Sequence, residues 1–332
     1  MAGRLAGQVS AVREPDSITL DDVLAARKRI GAFVPRTPLL PLEGTGGADI
    51  YLKLEGLQPI RSFKLRGASN ALALMSPDQR AAGVYTASAG NMAQGVAWAA
   101  RRLGVRCTVV CPEGAPQTKL DAVRRLGAEA ILLPYDEWWD ILAMHRYAPL
   151  EPAHFVHPVS DLAVMAGNGT IGLEILEDLP DVDAVLVPFG GGGLSSGIAA
   201  AMRGIRSDIR VYGCEVDTAT PLAAAIAAGG PIETQRIPTF VDGIGARVML
   251  AEMWAPVHRL LAGSLVVSLE EVAGAIKSLV ERVAVVGEGA AGASVAAGLK
   301  GLGGSGKVVC VVSGGNIDPS VLAKILAGEV PR

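Results

Sequence analysis

Aromatic and charged residues are scarce in this chain of 332 residues: Phe, Tyr and Trp make up 4% of it, and Asp, Glu, Lys and Arg make up 19%. The net charge is −3 and no basic stripe is present, which argues against a nucleic-acid partner. No apolar run reaches the roughly 18 residues of a membrane-spanning helix. Because the first 17 residues also lack the apolar core of a secretory signal, we predict a soluble, cytoplasmic protein without membrane or nucleic-acid partners.

Patterns typical of metal sites are missing too. The four cysteines include no C-x-x-C pair, and no histidine stands at metal-binding spacing from them; they are Cys107, Cys111, Cys214 and Cys310. All four fall in predicted strands, where free buried thiols are ordinary. The sequence therefore predicts free thiols and no metal.

Glycine and apolar residues are abundant instead: the chain has 41 glycines, and half of its residues are hydrophobic. Short Val/Ile-rich runs alternate with helical patterns, which predicts parallel sheets with helices on their faces. Predicted strands span 50–55, 83–87, 105–111, 129–133, 154–156, 183–188, 209–215 and 307–312. Predicted helices span 19–30, 65–75, 91–103, 116–126, 136–146, 163–179, 193–204, 270–282, 288–300 and 319–327, and 229–247 is predicted to be a long loop. The length and the two series of elements predict an α/β fold of two domains.

Lys64 stands at a position that is unfavourable for a lysine. Ser62 is predicted as the N-cap of helix 65–75, so Lys64 falls in the first turn. There the positive end of the helix dipole disfavours a cation. The misfit eases if the amine is neutral or forms a Schiff base with an aldehyde cofactor. The plain alternative is an exposed lysine on a helix surface.

Three other stretches join a strand to a helix or to a polar turn, where backbone N–H groups are free to bind an anion. They are Thr86-Ala87-Ser88-Ala89-Gly90-Asn91, Pro188-Phe189-Gly190-Gly191-Gly192-Gly193-Leu194-Ser195 and Val309-Cys310-Val311-Val312-Ser313-Gly314-Gly315-Asn316. The four glycines let N–H groups converge on an anion without obstruction by a Cβ atom. No lysine follows them, so this is not the G-x-x-x-x-G-K-[ST] phosphate loop. Each stretch alone is equally compatible with an ordinary turn.

Together with Ser62-Phe63-Lys64-Leu65-Arg66-Gly67-Ala68, these stretches resemble the serine/threonine dehydratase family of pyridoxal-phosphate enzymes (the β-family, fold type II), from about Pro35 to the C-terminus. The resemblance implies pyridoxal 5'-phosphate in a cleft between a large domain (1–82 and 159–332) and a small inserted domain (83–158). Members of the family often carry a C-terminal regulatory domain, and we expect none here because the sequence stops soon after the last motif. The implied site residues are Lys64 and Phe63 at the cofactor, Gly190, Gly191, Gly192, Gly193 and Leu194 at its phosphate, Ser313 at the pyridine nitrogen, Asn91 at the ring oxygen, and Ser88, Ala89, Gly90, Asn91 and Met92 around the substrate.

Several positions depart from the family's pattern. Met92 replaces a usual histidine, which makes its neighbourhood more apolar and favours a bulkier or less polar substrate side chain. Ala89 stands where eukaryotic serine racemases carry a serine that acts as a second base, so racemisation is disfavoured. Relatives with a divalent-cation site carry an acid at the position of Pro221, shortly after Glu215, and we therefore expect no such site here.

Four further residues are less well defined by the sequence. Glu288 resembles an acid near the cofactor ring, or it caps a helix. Trp138 and Trp139 are predicted to pack in the core or at an interface rather than to contact substrate. Arg61 is a candidate cation for the side carboxylate of a 3-hydroxyaspartate substrate.

The resemblance implies β-elimination of water from an L-3-hydroxy amino acid to give a 2-oxo acid and ammonia, with Lys64 as the base at Cα. Threonine or serine is the expected substrate, and Met92 keeps an aromatic one such as 3-phenylserine open. A β-replacement synthase on the same fold is the first alternative, although those enzymes favour Ser-x-Lys-Asp-Arg and Thr-Ser-Gly-Asn-Thr-Gly at the corresponding motifs. A non-catalytic ligand-binding relative is the second. The resemblance also implies a homodimer or homotetramer.

Overall fold

The computed structural model describes residues 13–43 and 47–332. Its strands are β1 (Leu39–Pro41), β2 (Asp49–Leu54), β3 (Val84–Ala87), β4 (Cys107–Pro112), β5 (Glu129–Leu133), β6 (His154–Phe155), β7 (Ala184–Pro188), β8 (Arg210–Val216), β9 (Gly263–Val267) and β10 (Lys307–Val312). Its helices are α1 (Leu20–Ile30), α2 (Lys64–Ala73), α3 (Pro77–Ala82), α4 (Asn91–Leu103), α5 (Gln117–Arg125), α6 (Tyr135–Met144), α7 (Leu162–Asp178), α8 (Gly193–Ile205), α9 (Pro221–Ala228), α10 (Trp254–Leu260), α11 (Leu269–Val283), α12 (Gly289–Leu299) and α13 (Pro319–Leu326).

The strands form two sheets. The larger sheet has the order β1-β2-β10-β7-β8-β9, and the smaller one has the order β5-β4-β3-β6. All neighbours are parallel except β1 and β2. This confirms the predicted α/β class with two mostly parallel sheets. The strands of the smaller sheet all lie between 84 and 155, whereas the domain bounds 1–82 with 159–332 and 83–158 stay a prediction.

Helices cover the larger sheet on both faces, which explains the continuous Val-rich runs of its strands. On β10, Val309 and Val311 join the hydrophobic core beneath α7 and α8. Val308, Cys310 and Val312 point the other way and join the core beneath α11 and α12. Successive side chains of β10 therefore point to opposite faces of the sheet and contribute to two hydrophobic cores.

Two expectations drawn from the composition agree with the structure. All four cysteines are buried and unpaired, as predicted. Across residues 13–43 and 47–332, no helix combines the length and the apolar character needed to cross a membrane.

The helix that begins at Lys64 differs from its prediction at both ends. Ser62 is not the N-cap, because Phe63 occupies that position with helical backbone angles (φ −54°, ψ −24°) and no capping side chain. The Ser62 hydroxyl instead accepts a long hydrogen bond of 3.4 Å from the Lys64 N–H. At the other end, α2 stops two residues early because Ser76 caps the next helix, α3, and precedes a proline.

The sequence patterns did not predict the strand β9 or the helices α3, α9 and α10. These three helices are only six to eight residues long.

The carboxylate of Glu215 lies at the N-terminus of helix α9. The Glu215 carboxylate accepts hydrogen bonds from the N–H groups of Leu222 (2.7 Å) and Ala223 (2.9 Å). It also accepts one from the Ser264 hydroxyl (2.6 Å). Glu215 therefore satisfies the N-terminus of α9.

Four buried charged residues form a neutral network beneath α2: Lys53, Glu55, Arg66 and Glu174. The Arg66 guanidinium makes two hydrogen bonds to Glu55 (both 2.8 Å) and two to Glu174 (2.7 and 2.9 Å). Lys53 Nζ donates to Glu174 at 2.5 Å. Burial alone would raise the pKa of Glu174, but the hydrogen bonds and charges of Arg66 and Lys53 outweigh burial and lower it. The network ties α2 to β2 and α7.

Candidate active site

A cavity of about 460 Å³ opens at the carboxyl ends of β3, β7 and β10. Ligands of parallel α/β sheets bind at this edge, because strand ends and helix N-termini meet there. Every site residue expected from the sequence lies on the cavity wall: Phe63, Lys64, Ser88, Ala89, Gly90, Asn91, Met92, Gly190, Gly191, Gly192, Gly193, Leu194 and Ser313. The fold thus brings together motifs that are far apart in the chain.

Lys64 is the first residue of α2, and its amine reaches into the cavity. Its Nζ donates a hydrogen bond of 2.7 Å to the carbonyl of Pro158. Burial lowers the pKa of Lys64 to about 8, although the charge of Glu288 acts in the opposite direction. More of this amine is therefore neutral near pH 7 than for an exposed lysine, as a nucleophile or a general base requires.

Backbone hydrogen bonds join the lysine motif to the turn after β10. Phe63 N–H donates to the Ser313 carbonyl, and Gly315 N–H donates to the Arg61 carbonyl, both at 2.9 Å. The hydroxyl of Ser313 makes no hydrogen bond to any residue of 13–43 or 47–332, and Ser313 lies on the cavity wall. The Arg61 side chain is exposed and lies outside that wall. The structure therefore gives no support to Arg61 as a substrate-binding cation.

The glycine run forms an open cradle of N–H groups. Within the described chain, the N–H groups of residues 190–195 have no hydrogen-bond acceptor. Gly192 has a φ of +93°, which favours glycine. A Cβ atom on Gly193 would lie 2.3 Å from the Val159 carbonyl oxygen, and one on Gly191 would lie 2.5 Å from a Val159 methyl carbon. Because these N–H groups lie at the N-terminus of the 13-residue helix α8, they suit an anion.

Glu288 and Asn91 meet on the cavity wall. Asn91 Nδ2 donates to both oxygens of Glu288, at 2.8 and 3.1 Å, and Asn91 Oδ1 accepts from Asn316 Nδ2 at 2.8 Å. Glu288 occupies the N-cap position of α12, but its side chain makes no capping hydrogen bond. Glu288 therefore stands at the predicted capping position, but its carboxylate does not cap the helix. Burial raises the pKa of Glu288.

Helix α6 contributes cavity residues whose place was not predicted. Trp138 and Trp139 pack against the hydrophobic cluster of the smaller sheet, in agreement with the predicted core packing, but they also line the cavity. Tyr135 and Leu142 of the same helix line it too. Met92 of α4 is buried, lines the cavity and belongs to the hydrophobic core that α4 shares with α2. The spacing of the four α6 residues places them on one helix face, which was the signal available in the sequence.

Two further cations on the cavity wall were also missed. Lys119 of α5 forms an ion pair with Asp242, which lies in the 229–247 loop. Arg236 of the same loop donates from Nε to the Gly245 carbonyl at 2.8 Å. The ion pair bridges the two sides of the cavity.

Comparison with known proteins agrees with this geometry. Residues 30–314 match the family described as Pyridoxal-phosphate dependent enzyme. An L-threonine ammonia-lyase of Thermotoga maritima is 42% identical over 315 residues, which cover 93% of this chain and 78% of that relative. The chain belongs to the serine/threonine dehydratase family of pyridoxal-phosphate enzymes.

Two solved structures are similar to this dehydratase-family chain along most of its length. The processed form of threonine deaminase isoform 2 from Solanum lycopersicum has a TM-score of 0.85 at 32% identity and covers 93% of this chain and 87% of that one. Maize serine racemase has a TM-score of 0.84 at 30% identity and covers 94% and 98%. The shared fold therefore carries more than one named activity.

The donor groups of this family member suit its cofactor, pyridoxal phosphate. The unpaired N–H groups of residues 190–195 match a phosphate in charge and in number of donors. The Lys64 amine of lowered pKa matches an aldehyde. The unpartnered Ser313 hydroxyl, which both donates and accepts, matches a pyridine nitrogen.

A pH-dependent prediction follows from Lys64. In the cofactor-free protein, the rate at which Lys64 captures added pyridoxal phosphate should rise about tenfold per pH unit below pH 8 and level off above it, because only the neutral amine is nucleophilic. The rate can be measured from the visible absorbance of the bound cofactor. Free lysine, whose pKa is about 10.4, is the reference and should keep accelerating. A protein rate that still rises at about pH 10 would contradict the lowered pKa.

Proposed function

We propose that this enzyme removes water from an L-3-hydroxy amino acid and releases a 2-oxo acid and ammonia. The observation that carries the proposal is the Lys64 amine of lowered pKa, which shares one cavity with the N–H groups of residues 190–195. Relatives that are named for threonine support threonine as a substrate, and we propose that serine, the other substrate in the name of the family, is accepted as well.

The residues of the cavity divide the reaction between them. Bound pyridoxal phosphate supplies the electron sink that makes the Cα–H bond acidic. Lys64 accepts the Cα proton, which its lowered pKa permits. The substrate carboxylate binds at the N-terminus of α4, next to the turn that contains Ser88 and Gly90. Within this turn the Gly90 N–H donates a hydrogen bond of 3.2 Å to the Ser88 hydroxyl. The Cβ–O bond breaks, and the Lys64 ammonium returns the proton to the departing oxygen, which leaves as water. The released enamine then tautomerises and takes up water, giving the 2-oxo acid and ammonia.

Racemisation is an alternative reaction, because one of the similar structures is named as a serine racemase. Inverting Cα needs a second proton-transfer group opposite Lys64. Ala89, at the position where the resembling racemases carry serine, lies on the cavity wall and has no exchangeable proton. We therefore favour elimination. A cytoplasmic location stays a prediction from the sequence, and a homodimer or homotetramer stays a prediction from the resemblance.

The finer proposal is that an aromatic substrate such as 3-phenylserine is also accepted. Its support is Met92, which is buried, apolar and on the cavity wall where a histidine is usual.

An assay of 2-oxo acid formed from L-threonine and L-serine tests the proposed reaction, with D-serine measured in the same samples. We expect 2-oxo acid from at least one substrate and no D-serine above the buffer control. D-serine as the main product would establish a racemase. Absence of 2-oxo acid from L-threonine, L-serine and L-threo-3-phenylserine alike, with cofactor-loaded protein, would instead favour β-replacement.

A further inference from the structure

Helix α6 turns an aromatic face toward the cavity. Tyr135, Trp138, Trp139 and Leu142 are spaced by three or four residues and so share one helix face, and all four line the cavity. Two of the chain's four tryptophans are therefore on this wall, in a protein that is only 4% aromatic. Such a concentration of ring surface on a ligand cavity is typical of a subsite for an apolar group.

The aromatic face is held in place by its own contacts. The Trp138 indole N–H donates to the Val110 carbonyl on β4 at 3.2 Å. Its ring centroid lies 5.6 Å from that of Tyr135 and 6.4 Å from that of Trp139, both in tilted geometry. A ring entering the cavity would meet a prepared surface, and little side-chain ordering would remain to oppose binding.

The charged groups on the cavity wall do not offer an equally prepared site for an acidic side chain. The Lys119 ammonium is already paired with Asp242. Arg236 is exposed, and its Nε is directed to the Gly245 carbonyl. Asp242 also lies on the cavity wall, and its charge repels any carboxylate that comes close to it.

We propose that the α6 face formed by Tyr135, Trp138, Trp139 and Leu142 binds an aromatic ring on the substrate's Cβ, so that L-3-aryl-3-hydroxy amino acids are the preferred substrate class. The inference rests on the proposed dehydratase function and adds the residues that select the substrate. With threo-3-phenylserine, Lys64 takes the Cα proton and returns it to the β-oxygen as the Cβ–O bond breaks, so that water leaves. Hydrolysis of the released enamine then gives phenylpyruvate and ammonia.

The test compares kcat/KM of the cofactor-loaded enzyme for L-threonine, L-threo-3-phenylserine and L-threo-3-hydroxyaspartate. We expect phenylserine to exceed threonine by at least about tenfold, a difference that a well-packed apolar group can supply. A preference for threonine would overturn the aryl subsite and leave the dehydratase function standing. A preference for hydroxyaspartate would also overturn it and direct attention to Arg236.

A binding measurement separates the subsite from the chemistry. L-Phenylalanine and L-alanine have no β-hydroxyl and cannot lose water, so their affinities can be measured by tryptophan fluorescence even if no 2-oxo acid forms from any substrate. Tighter binding of phenylalanine by about tenfold or more would support the subsite. Equal affinities would overturn it.

Substitutions on α6 test which residues carry the preference. Trp139→Leu should lower the phenylserine-to-threonine ratio of kcat/KM by about tenfold, and Trp139→Phe should restore most of it, because a ring replaces a ring. Trp254→Leu on α10, outside the cavity wall, is the matched control and should leave the ratio unchanged. An equal loss of both substrates in Trp139→Leu would indicate a structural role only and overturn the assignment.

Discussion

Lys64→Ala should lower the kcat for 2-oxo acid formation by at least about 10³-fold, because it removes the cavity amine that can take the Cα proton. The variant should also lose the covalent attachment of pyridoxal phosphate, which mass spectrometry of the reduced protein can follow. Added methylamine should restore part of the activity, since a small amine can enter the space left by the side chain.

Lys119→Ala is the matched control for this loss. Lys119 also lies on the cavity wall, but its ammonium is paired with Asp242 and is partly exposed. Removing such a pair should change kcat by less than about tenfold. Retention of most of the activity in Lys64→Ala, or an equal loss in Lys119→Ala, would be incompatible with the assigned role of Lys64.

Arg66→Met should lower the free energy of unfolding by about 3–5 kcal/mol, because it leaves Glu55 and Glu174 buried with Lys53 as their only remaining countercharge in the network. The expected effect is large because the Arg66 side chain is only 2% exposed. Urea unfolding followed by far-UV circular dichroism gives the measurement.

Two further variants separate buried charge from general damage. Arg66→Met combined with Glu55→Leu should recover part of the lost stability, since the second change removes an unpaired buried carboxylate. Arg13→Met breaks an exposed ion pair with Asp22 and should have no measurable effect. A double variant that is no more stable than Arg66→Met alone would refute this explanation.

The site was largely predictable because each motif carries its geometry in contiguous residues. A buried strand, a glycine turn and a helix start determine where the N–H groups of residues 190–195 point, whatever lies elsewhere in the chain. The position of Lys64 in the first turn of a helix can likewise be predicted from neighbouring residues. The contact between Asn91 and Glu288 could not be predicted in this way, because 197 residues separate them in the sequence.

What the sequence patterns missed has physical reasons as well. The α6 face is apolar at helical spacing, and spacing alone does not distinguish a side chain that faces the core from one that faces a cavity. Arg61 has a φ of +57°, which is uncommon for a residue other than glycine and could not be predicted from the sequence. Its side chain lies outside the cavity wall. Short elements such as α10 contain too few turns to show a period.

The central position of β10 has a consequence for how the protein is made. β10 is the last of the described strands in sequence, yet it pairs with β2 on one side and β7 on the other. A ribosome releases β2 and β7 well before β10, so both strands have an open edge until residue 312 emerges. The turn with Ser313 follows immediately. The emergence of β10 therefore closes the sheet and completes the cofactor site together, and until then the nascent chain is open to aggregation.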